Sequence, residues 1–310
     1  MNEMLTVNVS PHIYTKRNTT SIMLDVVIAL LPASAAAVIF FGWRAAVLIA
    51  ACTVSAPLFE FIFDKIVKKD NTIGDLSAVV TGLLLALNLP ASVPVWQAVL
   101  GSAVAIIIVK CLFGGIGDNF ANPAITARVV LLLAFPGTVT AAVFPTEKFT
   151  DIISGATPLA VISGQEGTLP SLLNMFLGAR GGAIGETSVL ALLIGGAYLL
   201  ARRVITWHTP VAFVSTVFIL TLLLGKEPLY QIMSGGLLIG AIFMATDYAT
   251  SPTTEWGKIV FGFGCGLLTV IIRVWGTYPE GVSFAILFMN ILCPYINRWT
   301  ERKPFGGVPQ

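Results

Sequence analysis

A threonine hydroxyl, two asparagine carboxamides and a few carboxylates are the groups in this 310-residue chain that could do chemistry. Thr157 stands in the run Asp151-Ile-Ile-Ser-Gly-Ala-Thr-Pro-Leu159. Ser154-Gly155 is a turn signal, Thr157 suits a helix N-cap, and Pro158 suits the first helical position. The spacing predicts a loop that enters a short helix, with the Thr157 hydroxyl where the chain turns. A cap is the plain reading of such a pair. The second stretch is Asp118-Asn-Phe-Ala-Asn-Pro-Ala-Ile-Thr-Ala-Arg128. Asn119 and Asn122 are three apart, which on a helical turn puts them on one face. Paired carboxamides offer donors and acceptors to the edge of a planar heterocycle. The same two residues also read as caps of a helix starting near Pro123. Asp25, Glu186 and Asp247 lie in or at the edge of apolar runs. Ionisable groups at membrane depth are costly and tend to face an interior or a water-filled path, so Asp25 and Asp247 are candidates for ion passage. Pairing with a neighbouring helix, or snorkelling to an interface, is the alternative.

The rest of the chain is apolar. Hydrophobic residues make up 56% and charged residues 11%, with mean hydropathy +0.87, against about 25% charged in soluble domains. This composition predicts a polytopic helical membrane protein. The first 20 residues are polar and the first apolar run is long enough to span, so no cleavable signal peptide is expected. The four cysteines form no Cys-x-x-Cys, which argues against an iron–sulfur cluster held by this chain alone. Two histidines, His12 and His208, do not make a metal site, and a net charge of +2 implies no nucleic-acid partner.

The elements that must position these groups are ten hydrophobic segments: 21–41, 43–67, 76–89, 95–113 and 125–135, then 187–200, 209–224, 231–245, 258–274 and 282–296. With every segment crossing once and the N-terminus inside, twelve of the 18 lysines and arginines fall on the cytoplasmic side. Five fall outside, and Arg128 lies within a segment. That asymmetry puts both termini in the cytoplasm and the Thr157 loop outside. Five crossings per half invert the halves relative to each other. Gly82-Leu-Leu-Leu-Ala-Leu-Asn-Leu-Pro…Trp96 has a counterpart in Gly240-Ala-Ile-Phe-Met-Ala-Thr-Asp…Pro252…Trp256. Paired broken helices mark an interior site near the midplane; two ordinary helices with proline-bounded loops are the other reading. The expected fold is an all-α polytopic membrane protein of about ten transmembrane helices, in two inverted five-helix repeats with broken half-helices. Its parts are a cytoplasmic segment 1–20, a first repeat 21–136, an outer loop 137–185, a second repeat 186–296 and a cytoplasmic tail 297–310.

Ser154-Gly-Ala-Thr157 after Asp151 resembles the flavin-attachment motif of one family. That family contains the B subunit of Na+-translocating NADH:quinone oxidoreductase and the D subunit of the Rnf ferredoxin:NAD+ oxidoreductase complex. Asn119-Phe-Ala-Asn-Pro-Ala124 is similar to its Asn-Phe-x-Asn-Pro-Ala segment, and 182–188 and 244–252 also look like family segments. The first span begins near residue 21, short of the longer N-terminal region of the B subunits, so the D subunits are the closer match. The resemblance implies FMN held by a phosphoester to Thr157, which makes the chain a phosphoprotein in that sense. Small neighbours, Gly155 and Ala156 beside Ser154, would let a flavin transferase approach on the outer face. It further implies that Asn119 and Asn122 contact a second, non-covalent flavin, riboflavin. No catalytic acid or base is needed, and no metal is held. Other Rnf subunits would supply iron–sulfur clusters, another flavin and the ferredoxin and NAD+ sites. The implied setting is a bacterial or archaeal inner membrane, with electron transfer coupled to Na+ or H+ translocation. A transporter or channel without a redox cofactor is the main rival, and a structural membrane anchor is a weaker one.

Overall fold

Backbone groups in lipid have no water to bond, so apolar runs of this length fold as helices. A computed structural model describes residues 18–68, 72–141, 143–144, 153–154, 157–164, 167, 169–276 and 280–301. In chain order the helices begin with α1 (Thr19–Phe41), α2 (Trp43–Val67), α3 (Ser77–Leu87), α4 (Val95–Cys111) and α5 (Pro123–Ala134). A short α6 (Pro136–Val139), two-residue strands β1 (Val143–Phe144) and β2 (Ile153–Ser154), and the short helices α7 (Pro158–Ile162) and α8 (Leu172–Leu177) follow. Then come α9 (Val189–Ala201), α10 (His208–Leu223), α11 (Pro228–Met233), α12 (Leu237–Ile239), α13 (Glu255–Trp275) and α14 (Val282–Thr300). The second part of α4, Val104–Cys111, is π-wound, and α12 runs on as a π-wound stretch, Gly240–Met244. Among the described residues, three helices are long and apolar enough to cross a membrane alone: α1, α2 and α13.

α1 packs against α9, α2 against α3 and α4, α10 against α13, and α13 against α14, while α5 touches α3, α4 and α14. Small residues let these backbones approach, as is usual between membrane helices. A Cβ on Gly195 of α9 would run into the Ala29 carbonyl of α1. One continuous core of buried side chains, from Ala29 through Leu85, Ile125 and Phe213 to Ile286, fills the space between.

Several expectations need correction. Ser154 ends β2, where it pairs with Val143 of β1, so a small antiparallel bridge adds to the helical fold, and the turn expected at Ser154-Gly155 runs into residues outside those described. The run 231–245 is not one helix. It breaks at Ser234-Gly235-Gly236, where Gly235 takes a φ of +61° that glycine tolerates. A side chain there would press on the Arg273 guanidinium. Asn119 is not on a helical turn with Asn122, because 112–122 is irregular and helix resumes only at Pro123. Gly155 and Ala156 lie outside the described residues, as does the side chain of Ser154.

Gly195→Leu should loosen the α1–α9 contact and cost about 1–3 kcal/mol, as overpacking does. Thermal unfolding in detergent checks this against Gly74→Ala, whose new methyl would meet nothing within 4 Å. Equal midpoints for the two variants would count against the close approach.

Candidate functional site

At 11 residues, α3 is about 16 Å long, roughly half a bilayer's hydrocarbon thickness. It therefore ends inside the protein, and its last carbonyls need partners. The chain ahead of α9 supplies them: the Ile184 N–H donates to the Leu89 carbonyl (3.0 Å) and the Gly185 N–H to Leu87 (2.8 Å). Asn88 donates to its own helix at Leu84 (2.7 Å) and accepts from Arg128 Nη1 at 3.0 Å. Arg128 Nη2 pairs with Glu280. Glu186 Oε1 accepts from the Ala183 N–H at 3.1 Å, while its Oε2 is buried without a hydrogen-bond partner. Arg128 Nη1 and Glu186 Oε2 both crowd Gly236, 3.2 and 3.4 Å from where a Cβ would stand. Arg180 donates to the carbonyls of Thr187 (3.1 Å) and Glu186 (2.5 Å). Arg273 donates to those of Gln231 (2.6 Å) and Ser234 (3.0 Å). Burial pushes the Glu186 carboxyl up, and the Glu280 charge adds to it against Arg128 and Arg180. Burial brings the Arg180 guanidinium down to about 10. A layer of buried charge thus joins the ends of two broken helices. Of its members, sequence reasoning had singled out only Glu186. Charged residues beside Gly and Pro at the edges of apolar runs were the available signal.

Asn122 caps α5. Its Oδ1 accepts from the N–H groups of Ala124 (3.0 Å) and Ile125 (3.3 Å), and its Nδ2 donates to the Met244 carbonyl at 3.3 Å. With its amide oriented to satisfy both partners, Asn290 of α14 accepts from the Asn122 N–H (3.1 Å) and donates to Thr250 (3.2 Å). This knot ties α5 to the π-wound end of α12 and to α14. Asn119 does not cap; its Nδ2 donates to the Ala121 carbonyl at 3.3 Å. Asn119, Asn122 and Asp247 nevertheless line one cleft, with Ser77, Lys110 and Thr246. The cleft holds about 90 Å³, whereas sites for drug-sized ligands run from about 300 to 1,000 Å³. A three-ring flavin does not fit it as it stands. Asp25 stands apart from this cleft. It accepts from Tyr198 Oη at 2.9 Å and pairs with Arg202 at 3.3 Å, so pairing with a neighbouring helix describes its geometry. A second pair went unnoticed in the sequence: Lys110 reaches Glu60 at 2.6 Å and Ser77 Oγ at 2.5 Å, with both charged groups buried.

Thr157 is the N-cap of α7, in extended backbone, and its Oγ1 accepts from the Ala160 N–H at 3.1 Å. Pro158 takes the first helical position, as the local sequence dictates. The turn is anchored by buried Leu159, which lies beside Gly235 at the break before α12. The half-buried hydroxyl therefore sits on a fixed turn, a fit for a covalently held group.

Membrane-length helices around shorter, broken ones with a buried charged layer between them define a polytopic membrane protein. More particularly, the chain belongs to the NQR2, RnfD, RnfE family, whose model matches residues 6–306. It is 49% identical to the D subunit of the Na(+)-translocating ferredoxin:NAD(+) oxidoreductase complex of Acetobacterium woodii, over 99% of this chain and 97% of that one. It is 39% identical to the D subunit of the proton-translocating ferredoxin:NAD(+) oxidoreductase complex of Clostridium ljungdahlii, over 98% and 96%. The D subunit of the ion-translocating oxidoreductase complex of Escherichia coli is 36% identical, over 96% and 97%.

Arg128→Leu should cost about 1–3 kcal/mol, because it leaves Asn88 Oδ1 without its donor and the partly exposed Glu280 carboxylate without its partner. Arg128→Leu with Glu280→Leu should recover part of that loss. Thermal midpoints of the two variants in detergent decide; a double variant no better than the single one would argue against the pairing.

Proposed function

We propose that the chain is the flavin-carrying membrane subunit of an ion-translocating ferredoxin:NAD+ oxidoreductase complex, with FMN joined to Thr157 Oγ1 by a phosphoester. The observation that carries this reading is the anchored turn at Thr157, within Ser154-Gly-Ala-Thr157. The names of its relatives as D subunits of such complexes support it. Flavin, when bound, takes up and passes on one electron at a time. Thr157 would hold it, and Leu159 would fix the turn against the bundle. Partner subunits would supply the iron–sulfur clusters and the ferredoxin and NAD+ sites. A flavin transferase would load Thr157 from the outer face of an inner membrane, with both termini in the cytoplasm.

The fold in this reading is ten helices in two inverted repeats of five. Its support is the matching of contacts: α2 with α4 as α10 with α13, α1 with its counterpart α9, and α5 with its counterpart α14. The third element of each half, α3 and α12, is short and broken. A second, non-covalent flavin such as riboflavin would lie against Asn119 and would require the 90 Å³ cleft to widen. Na+ or H+ would pass by Asp247, with Asp25 gating through its pair with Arg202. The buried charged layer between broken helices favours a second reading, a transporter without a redox cofactor, since such interiors also build transport sites.

Thr157→Ala in protein from native membranes should abolish covalent flavin, seen as in-gel fluorescence after denaturation, at a stability cost of about 1 kcal/mol. Asn119→Leu should leave that fluorescence unchanged. Fluorescence that survives Thr157→Ala, or an unmodified wild-type Thr157 by intact mass, would favour the transporter.

The orientation can be probed with the four native cysteines replaced. Cysteine introduced by Ser163→Cys should react with an impermeant thiol reagent on intact cells. Cysteine introduced by Glu301→Cys should react only after the cells are opened. The reverse pattern would put Thr157 beyond reach of an external transferase.

A further inference from the structure

The connection between α9 and α10 borders two cavities that share a wall. One is a groove of about 700 Å³ between α9 and α10, lined by Leu193, Ala197, Leu200, Val214 and Phe218 and floored by Ile242. That volume falls within the range of about 300–1,000 Å³ that ligand sites occupy. The other is a polar pocket of about 330 Å³, with Arg203, Thr206, Thr209, Ser251, Thr253 and Lys258 around it. Ile205 lines both. No carboxylate among the described residues pairs with Arg203 or Lys258. Arg203 also holds a φ of +53°, an uncommon conformation for a residue with a side chain. Three exposed aromatic residues, Trp207, Tyr248 and Trp256, stand in the same segments. Trp and Tyr concentrate at the headgroup level of a bilayer. A polar pocket beside these aromatic residues suits headgroup depth, and the apolar lining of the groove along α9 and α10 suits the hydrocarbon.

We propose that the two cavities form one site for an anionic glycerophospholipid, with its phosphate between Arg203 and Lys258 and one acyl chain in the groove. The charge and the apolar volume select this occupant together. A neutral isoprenoid would fill the groove but leave both cations unanswered. Free phosphate would answer the cations but leave the groove open. A partner's apolar helix would bring no anion.

The test uses the full-length chain in neutral detergent, titrated with dioleoylphosphatidylglycerol and read by native mass spectrometry. The wild type should show one tight adduct per chain. Arg203→Gln with Lys258→Gln should weaken it about thirtyfold, as expected for removing two cations at an anionic headgroup. Ala197→Phe, which fills the groove from an exposed position with both cations intact, should weaken it as much. Ser215→Phe does the same from the α10 side, so a variant that fails to fold leaves the other to decide. Glycerol 3-phosphate should not displace the lipid. Unchanged affinity in the charge variant, unchanged affinity in the folded groove variant, displacement by glycerol 3-phosphate, or equal binding of phosphatidylcholine would each overturn the proposal.

Discussion

A helix that stops inside a bilayer must find partners for its last carbonyls, because lipid offers none. That constraint shapes the centre of this protein. α3 ends at Leu87, and the two carbonyls at its end are met by backbone N–H groups from a segment about a hundred residues further along the chain. The second break, at Ser234-Gly235-Gly236, is met by Arg273, which donates to Gln231 and Ser234. Bringing Ile184 and Gly185 to α3 also brings Glu186 and Arg180, and with them comes the charge layer. Each ion there is tolerated because another ion or a carbonyl stands beside it.

The same constraint links the two halves of the chain. Asn122 caps α5 with one end of its carboxamide and holds the Met244 carbonyl with the other. Asn290 closes the ring from α14. Arg128, on the same helix as that cap, reaches Asn88 at the end of α3 and Glu280 at the start of α14. Rocking of one half against the other would have to carry these bonds along or break them. The Thr157 turn rests on the same joint through Leu159, so a group carried there would sense it.

What the sequence disclosed was local. Thr157 followed by Pro158 names a cap because cap chemistry involves only adjacent residues. Asn122 followed by Pro123 does so for the same reason, and the span lengths follow from apolar runs. The charge layer was not legible because its partners are distant: Arg128 and Glu280 are 152 residues apart, and the separate Glu60–Lys110 pair, 50 apart, was hidden for the same reason. No propensity or period encodes such a pairing. The break at Ser234-Gly235-Gly236 did carry a local signal, but the surrounding apolarity outweighed it. Asn119 was misplaced because three-residue spacing implies a shared face only where there is a helix. Its convergence with Asn122 is produced by the irregular turn between them.

The π-wound stretches have a consequence for how such chains vary in length. In the first, the Leu112 N–H reaches back five residues to Ile107, and in the second Ala245 reaches back to Gly240. Each such turn holds one residue more than an α turn. Deleting a residue there would close an ordinary α turn and leave both flanks in register. The same deletion in the middle of α2 would rotate everything beyond it by about 100°. The fold can therefore absorb a one-residue deletion at either of these two points, where a straight α-helix could not.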